Sequence, residues 1–236
     1  MELARLSGQV ALVTGGGRGI GKGIALSLAR EGAHVVVCAR SAREIEGVAE
    51  QIRTKNGSAS SVVVDVSDPA AVQRCADTFI ARYGRLDILV NNAGLGFIKP
   101  FADLSVEEFD QMWQVNVRGV FLMTKAFLPS MAKADRGAIV NIASLAGKNS
   151  FKGGTGYSAT KWALRGFAGS LMLEVREHNI RVVTIYPGSV ETSFSPNGKK
   201  GDNIPRPEDI GEAVLFAVTA PQRAMISEID VRPTRP

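Results

Sequence analysis

Two kinds of apolar pattern alternate along the chain. Short runs rich in β-branched residues lie at Val10–Thr14, His34–Cys38, Ser61–Val66, Leu86–Asn91, Ala138–Ile142, Ile180–Ile185 and Ile226–Val231. Between them stand longer stretches with apolar residues at helical spacing: Gly19–Glu31, Ala42–Lys55, Pro69–Tyr83, Val106–Lys133, Thr155–His178 and Pro207–Val218. Strand followed by helix, repeated through the chain, predicts parallel strands joined by right-handed crossovers. Runs such as Val35-Val36-Val37 and Val62-Val63-Val64 are continuous rather than alternating. A strand needs that pattern when helices cover both faces of its sheet. No composition break or Pro/Ser-rich linker divides the chain. The expectation is an α/β fold with a single domain over residues 1–236, a doubly wound (Rossmann) parallel sheet of about seven strands with helices on both faces. Ser195–Pro207, rich in Gly, Pro and Lys, is the one long loop and lies late enough to serve as a lid.

Composition narrows the class. Of 236 residues, 45% are hydrophobic and 22% charged, which excludes a disordered, collagenous or coiled-coil chain. Lys and Arg number 28 against 23 Asp and Glu, a net +5 spread along the chain with no basic run longer than Lys199-Lys200. No nucleic-acid-binding arm is therefore visible. Cys38 and Cys75 sit in apolar or helical surroundings and form no CxxC pair, which fits small core residues in a reducing cytoplasm. Met1-Glu2-Leu3-Ala4-Arg5 offers no apolar core for a signal peptide, and no apolar run is long enough to span a bilayer, so a cytoplasmic location is expected. His34 and His178 lack acidic or cysteine companions at ligand spacing, so no metal site is expected. Trp113 and Trp162 read as helix packing residues rather than a stacking platform.

Candidate chemistry begins directly after the first strand. Thr14-Gly15-Gly16-Gly17-Arg18-Gly19-Ile20-Gly21 opens the first helical stretch. Backbone N–H groups and a helix N-terminus then converge on one place, which suits a pyrophosphate. Strict G-x-G-x-x-G spacing is absent, because Ile20 stands at the third glycine position counted from Gly15 and Gly17. The phosphate-loop pattern is nearly met by Gly16, Gly21 and Lys22, yet Gly23 stands where a hydroxyl would hold Mg²⁺, so NTP hydrolysis loses its metal ligand. What remains, T-G-x-x-x-G-x-G in a strand–helix series, points to a dinucleotide. The second strand ends Cys38-Ala39-Arg40-Ser41, without the acid that would take the adenosine ribose hydroxyls. Arg40, joined by Arg18 from the glycine loop, suits a 2′-phosphate instead, and NADP(H) is the expected cofactor.

Tyr157-Ser158-Ala159-Thr160-Lys161 lies in a helical stretch, so Tyr157 and Lys161 share one face. A tyrosine at its ordinary pKa of about 10 is a poor acid–base catalyst at neutral pH. A nearby ammonium, with the positive ring of an oxidised nicotinamide, stabilises the phenolate and is expected to bring the Tyr157 pKa down toward 7. The pair follows Ile139-Val140-Asn141-Ile142-Ala143-Ser144, a strand ending in a hydroxyl at the C-terminal sheet edge, where ligands of α/β folds bind.

Taken in order, these motifs together with Asp65-Val66, Asn91-Asn92-Ala93-Gly94, Asn116 and Pro187-Gly188 resemble the short-chain dehydrogenase/reductase family from Leu6 to Pro236. The resemblance implies roles. Tyr157 is similar to the family's proton donor to a carbonyl oxygen, and Ser144 to the hydroxyl that orients and polarises that oxygen, so both would also touch substrate. Lys161 is similar to the residue that hydrogen-bonds the nicotinamide ribose and lowers the tyrosine pKa. Asn116 resembles the asparagine that holds a water in a proton relay. Thr14, Gly15, Gly17, Arg18, Gly19, Ile20 and Gly21 would form the cofactor loop. Asp65 would accept from the adenine amino group, with Val66 lending its N–H. Asn92, Ala93 and Gly94 would lie along the ribose. Pro187, Gly188 and Val190 would bind the carboxamide, and Thr192 the pyrophosphate.

The implied activity is hydride transfer between NADP(H) and a carbonyl or secondary alcohol. Segments 95–98, 148–156 and 186–205 should line the substrate pocket; they are mainly apolar, with Lys148 and Lys152 near the mouth. One subgroup, the 3-oxoacyl-[acyl-carrier-protein] reductases, docks its carrier on basic residues before the fifth strand and at the end of the catalytic helix. This chain carries Asp135, beside Lys133 and Arg136, and His178 there. A non-catalytic NADP-sensing protein is the alternative from another class, but it has no need of Ser144, Tyr157 and Lys161 together. Val106–Lys133 and Thr155–His178 are longer than one sheet face requires. Family members pair such helices across a twofold, so a homodimer or homotetramer is expected, with Ile226–Pro236 as a candidate second interface. A small-molecule substrate, and neither nucleic acid nor membrane, completes the expected partners.

Overall fold

The computed structural model describes residues 4–194 and 201–235; residues 195–200, part of the loop read as a lid, lie outside the described residues. The strands are β1 Val10–Thr14, β2 His34–Ala39, β3 Ser58–Val63, β4 Ile88–Asn91, β5 Gly137–Ile142, β6 Ile180–Pro187 and β7 Glu228–Val231. They form one seven-stranded sheet in the order β3-β2-β1-β4-β5-β6-β7, with every pair parallel. Seven α-helices connect them among the described residues: α1 Gly19–Arg30, α2 Ala42–Arg53, α3 Pro69–Tyr83, α4 Val106–Trp113, α5 Gly119–Lys133, α6 Thr155–Val175 and α7 Pro207–Val218. α1, α2 and α7 pack on one face of the sheet, and α3, α5 and α6 on the other. In β1, Ala11 and Val13 join the first group and Leu12 the second, which is why the strand is apolar without a break from Val10 to Val13. Strand order reverses between β1 and β4, leaving a crevice at their C-terminal ends.

Local chemistry sets the helix starts. Asp68 accepts from the Ala70 and Ala71 N–H groups just ahead of Pro69, so α3 begins where the sequence predicts. Ser105 and Glu108 form a reciprocal capping box at α4. Ser41 caps α2 through the Glu44 N–H.

Three expectations are corrected. The third strand starts three residues earlier than its apolar run and ends at Val63, because β3 is an edge strand whose first half is the polar stretch Ser58-Ala59-Ser60-Ser61. Asp65 and Val66 therefore lie beyond the strand, in the turn that enters the crevice. The helical run Val106–Lys133 is interrupted by one π turn at Gln114–Arg118. Trp162 is 44% exposed rather than packed inside, whereas Trp113 is half-buried with its ring 6.1 Å from that of Phe109.

Candidate active site

A cavity of about 850 Å³ runs along the crevice, from Arg40 and Asp65 at one end to Phe151 and Phe194 at the other. Its floor is the turn between β1 and α1. Gly15 has φ +63°, and a Cβ there would lie 2.9 Å from the Cα of Ala93, so only glycine lets the loop close against the segment after β4. Thr14 lies behind this wall, 2% exposed. Its hydroxyl donates to the Val90 carbonyl (3.3 Å) and accepts from the N–H groups of Asn92 and Ala93 (both 3.0 Å). The Asn92 amide returns the contact by donating to the carbonyls of Thr14 (2.9 Å) and Gly15 (3.1 Å). The four bonds to Asn92 and Ala93 lock the start of the glycine loop to the Asn92-Ala93-Gly94 segment, and the fifth ties Thr14 to β4. Gly15, Gly17, Arg18, Gly19, Ile20 and Gly21 all line the cavity.

At the end next to β2 and β3, Arg18, Arg40 and Asp65 face the same space. Burial pushes the Asp65 carboxyl up, but the Ser67 hydroxyl (2.7 Å) and N–H (2.9 Å), with the Arg40 charge, hold it below the usual carboxylate range. It is thus an ionised acceptor at neutral pH. Ser41 and Glu44 also line this end, and Glu44 lies 3.8 Å from Arg18. Sequence reasoning missed both. Their signal was the position of Ser41 as a helix cap, one residue after Arg40, which aims the N-terminus of α2 at the same place.

At the opposite end, β5 delivers Ser144 and α6 delivers Tyr157 and Lys161 to one wall. Ser144 caps a short 3₁₀ turn by accepting from the Ala146 N–H (3.1 Å). Lys161 is 4% exposed, and its ammonium donates to the Ile142 carbonyl (3.0 Å), 5.6 Å from the centre of the Tyr157 ring. Burial pushes the Lys161 amine down to about 8. Burial likewise pushes the Tyr157 phenol up to about 12, against a smaller opposite effect of its hydrogen bond with the Ser144 hydroxyl. The expected fall toward 7 is absent from this arrangement, because the phenolate loses more hydration than the neighbouring groups restore. Asn116 is buried behind the wall. It accepts from the Leu95 N–H (2.9 Å) and donates to the Leu95 carbonyl (2.8 Å) and the Thr160 hydroxyl (3.0 Å). Thr160 in turn donates to the Tyr157 carbonyl (2.8 Å). Val66, Asn92, Ala93, Gly94, Pro187, Gly188, Val190 and Thr192 also line the cavity.

A family model described as short chain dehydrogenase matches residues 9–203. The chain belongs to the short-chain dehydrogenase family. It is 34% identical over 236 residues to the sepiapterin reductase of Chlorobaculum tepidum, an alignment covering 95% of this chain and 96% of that protein. Among solved structures it is similar to a metagenomic short-chain oxidoreductase in complex with NADP, at 39% identity and TM-score 0.88, covering 98% of this chain and 100% of that one. It is also similar to an alcohol dehydrogenase of the archaeon Thermococcus sibiricus complexed with 5-hydroxy-NADP, at 32% identity and TM-score 0.90, covering 97% and 98%.

In this dehydrogenase the loop lysine Lys148 turns away from the cavity. It is ion-paired to Glu228 (2.8 Å) and Asp230 (2.7 Å) on β7 and lies 4.0 Å from the centre of the Tyr186 ring. Lys152 is exposed and does not line the cavity. No described helix is long and apolar enough to cross a membrane.

Proposed function

We propose that this oxidoreductase uses NADP(H) to interconvert a carbonyl compound and its secondary alcohol, with Tyr157 as general acid and base. One observation carries the reading: Ser144, Tyr157 and Lys161 line the same cavity as the glycine loop. The bare backbone of residues 15–21 at the start of α1 fits a pyrophosphate, to which Thr192 adds a hydroxyl. Arg18, Arg40 and Ser41 would take a 2′-phosphate at the N-terminus of α2, with Glu44 steering Arg18. Asp65 and Val66 would hold the adenine, Asn92 through Gly94 the ribose, and Pro187, Gly188 and Val190 the carboxamide. A bound nicotinamide supplies the hydride and its two electrons for the carbonyl carbon. Tyr157 gives its phenolic proton to the carbonyl oxygen, while Ser144 hydrogen-bonds that oxygen and fixes its position. With its pKa up at about 12, Tyr157 holds that proton at neutral pH, the form that reduction requires. Lys161 is the buried cation that favours the phenolate in the reverse direction. Asn116 would hold a water in the proton relay, and its amide also positions Leu95 and Thr160.

An acyl-carrier substrate is less well supported, since Arg136 is held by the buried Asp87 (2.6 Å) and Asp135 stands beside it. A homodimer or homotetramer and a reducing cytoplasm, suited to the free buried Cys38 and Cys75, complete the reading. The test follows NADPH oxidation by its own absorbance against a panel of aldehydes and ketones, repeated with NADH. Turnover with NADPH preferred is expected. Tyr157→Phe should lower kcat by about 10²–10⁴-fold with NADPH affinity kept, whereas a non-catalytic NADP sensor binds without turnover. Full activity in Tyr157→Phe would refute the assignment.

A further inference from the structure

The substrate end of the cavity differs from its cofactor end in one respect: among the described residues, every charged side chain lining the cavity apart from Lys161 lies at the far end, in Arg18, Arg40, Glu44 and Asp65. Lys161 is buried beside Tyr157 with its ammonium on the Ile142 carbonyl, and Lys148, the lysine nearest in sequence to Ser144, is ion-paired to two carboxylates. The mouth instead presents three large apolar side chains to solvent: Ile98 (52% exposed), Phe151 (44%) and Phe194 (50%). Exposed apolar surface gathered at a cavity mouth marks a ligand site. Its geometry is specific. The Phe194 ring lies 5.8 Å from the Tyr157 ring at 47°. The backbone of Gly96 lies against both rings: a Cβ there would sit 2.8 Å from the Tyr157 ring and 3.1 Å from Phe194. A carbonyl compound bound at the Tyr157 hydroxyl in this cavity has the Phe194 ring as a neighbour.

From this arrangement we infer that the substrate is an uncharged carbonyl compound bearing an aromatic ring next to the carbonyl, with Phe194 as the residue that selects for the ring. The inference rests on the oxidoreductase reading above and names the substrate class of that site. A carboxylate in the same place would be stripped of water among Ile98, Phe151 and Phe194, with no unpaired cation other than the buried Lys161 among the described lining residues of this end to meet it. A flat ring stacks obliquely on Phe194 and covers the exposed rim. In the reaction the carbonyl carbon gains a hydride from NADPH, the oxygen gains the Tyr157 proton, and the products are the benzylic-type alcohol and NADP⁺.

Three matched probes test it: methyl benzoylformate, its free acid benzoylformate, and methyl pyruvate, which lacks the ring. Steady-state kcat/KM is measured with NADPH, and binding of the same compounds to the protein with NADP⁺, which cannot reduce them, is measured by calorimetry. Methyl benzoylformate should lead benzoylformate by about 100-fold and methyl pyruvate by about tenfold. Phe194→Ala should shrink the ring's advantage at least fivefold or so, mainly through KM; Phe194 is half exposed, so the fold is not at risk. Equal or better use of the acid, or a ring advantage untouched by Phe194→Ala, overturns the inference, as does failure of all three to bind. Binding in the expected order without any turnover supports the substrate class while overturning the oxidoreductase reading beneath it.

Discussion

Lys161 concentrates the conflict between stability and chemistry in a single side chain. A lysine 4% exposed, with only a carbonyl as its hydrogen-bond acceptor, is a costly element in a folded protein. Its pKa falls from the ordinary 10.5 to about 8 on burial. At pH below about 8 the amine is charged in both states, and burying it costs of the order of 3 kcal/mol, at about 1.4 kcal/mol per pKa unit. Between pH 8 and 10 the native chain gives up the proton first, the unfolded chain binds more protons, and stability rises with pH. Above 10 the Tyr157 phenol acts the other way, since its raised pKa means that the unfolded chain ionises first. Thermal unfolding of the cofactor-free protein and of Lys161→Met across pH 7 to 10 checks this. Relative to the variant, the wild-type Tm should climb through that window, and Lys161→Met should be inactive at every pH. Parallel curves would mean that the amine is hydrated in solution.

The π turn inside the long helical run is the element that sequence patterning conceals. One extra residue per turn rotates Asn116 inward while leaving the flanking apolar spacing of α4 and α5 almost unchanged, so a continuous helix and an interrupted one look alike in the sequence. Its consequence is visible in packing: among the described residues, Asn116 meets both the N–H and the carbonyl of Leu95, the residue that follows Gly94 on the cavity wall. Asn116→Ala strands both groups, at about 1–3 kcal/mol for each unsatisfied partner that stays dry. A fall in Tm of at least about 4 °C is therefore expected, with weaker NADPH binding because Gly94 loses its support; calorimetric melting and cofactor titration measure the two. An unchanged Tm would show that water replaces the amide. Elements whose boundaries are set by local chemistry were legible at residue level: Asp68-Pro69 starts α3 and Pro207 starts α7. That Ser144, Tyr157 and Lys161 share one cavity wall was legible because strand-end and helix-face spacing are local patterns. The start of edge strand β3 was not, since Ser58, Ser60 and Ser61 carry no apolar signal. Neither was the fate of Lys148, whose partners Glu228 and Asp230 join it only through the pairing of β7 with β6.

At the scale of the whole molecule, the outer surface of α5 and α6 is unlike the rest. Trp162, Gly166, Gly169 and Leu173 recur at helical spacing along one face of α6, with Trp162 44% and Leu173 60% exposed. A Cβ at Gly166 or Gly169 would meet nothing within 4 Å, so the stripe is both smooth and apolar. Phe121 on α5 adds a further ring, 45% exposed. A groove floored by glycines lets a second helix approach closely, and a surface that must match itself across a twofold supplies such a helix from an identical chain. A second apolar position, Phe216 on α7 (63% exposed), lies on the opposite face of the sheet. In the proposed assembly the α6 surface would build the dimer and the Phe216 surface would join dimers into a tetramer. Light scattering should give a multiple of the monomer mass for the wild type. Leu173→Glu, at a site open enough to spare the monomer fold, should remove the α6 pairing and lower Tm in a concentration-dependent way. If the wild type is a tetramer, Phe216→Glu should stop at dimers while leaving Leu173 contacts intact. A wild type that runs as a monomer at all concentrations, or a Leu173→Glu protein of unchanged mass, would remove the pairing and leave the length of α6 without a partner to explain it.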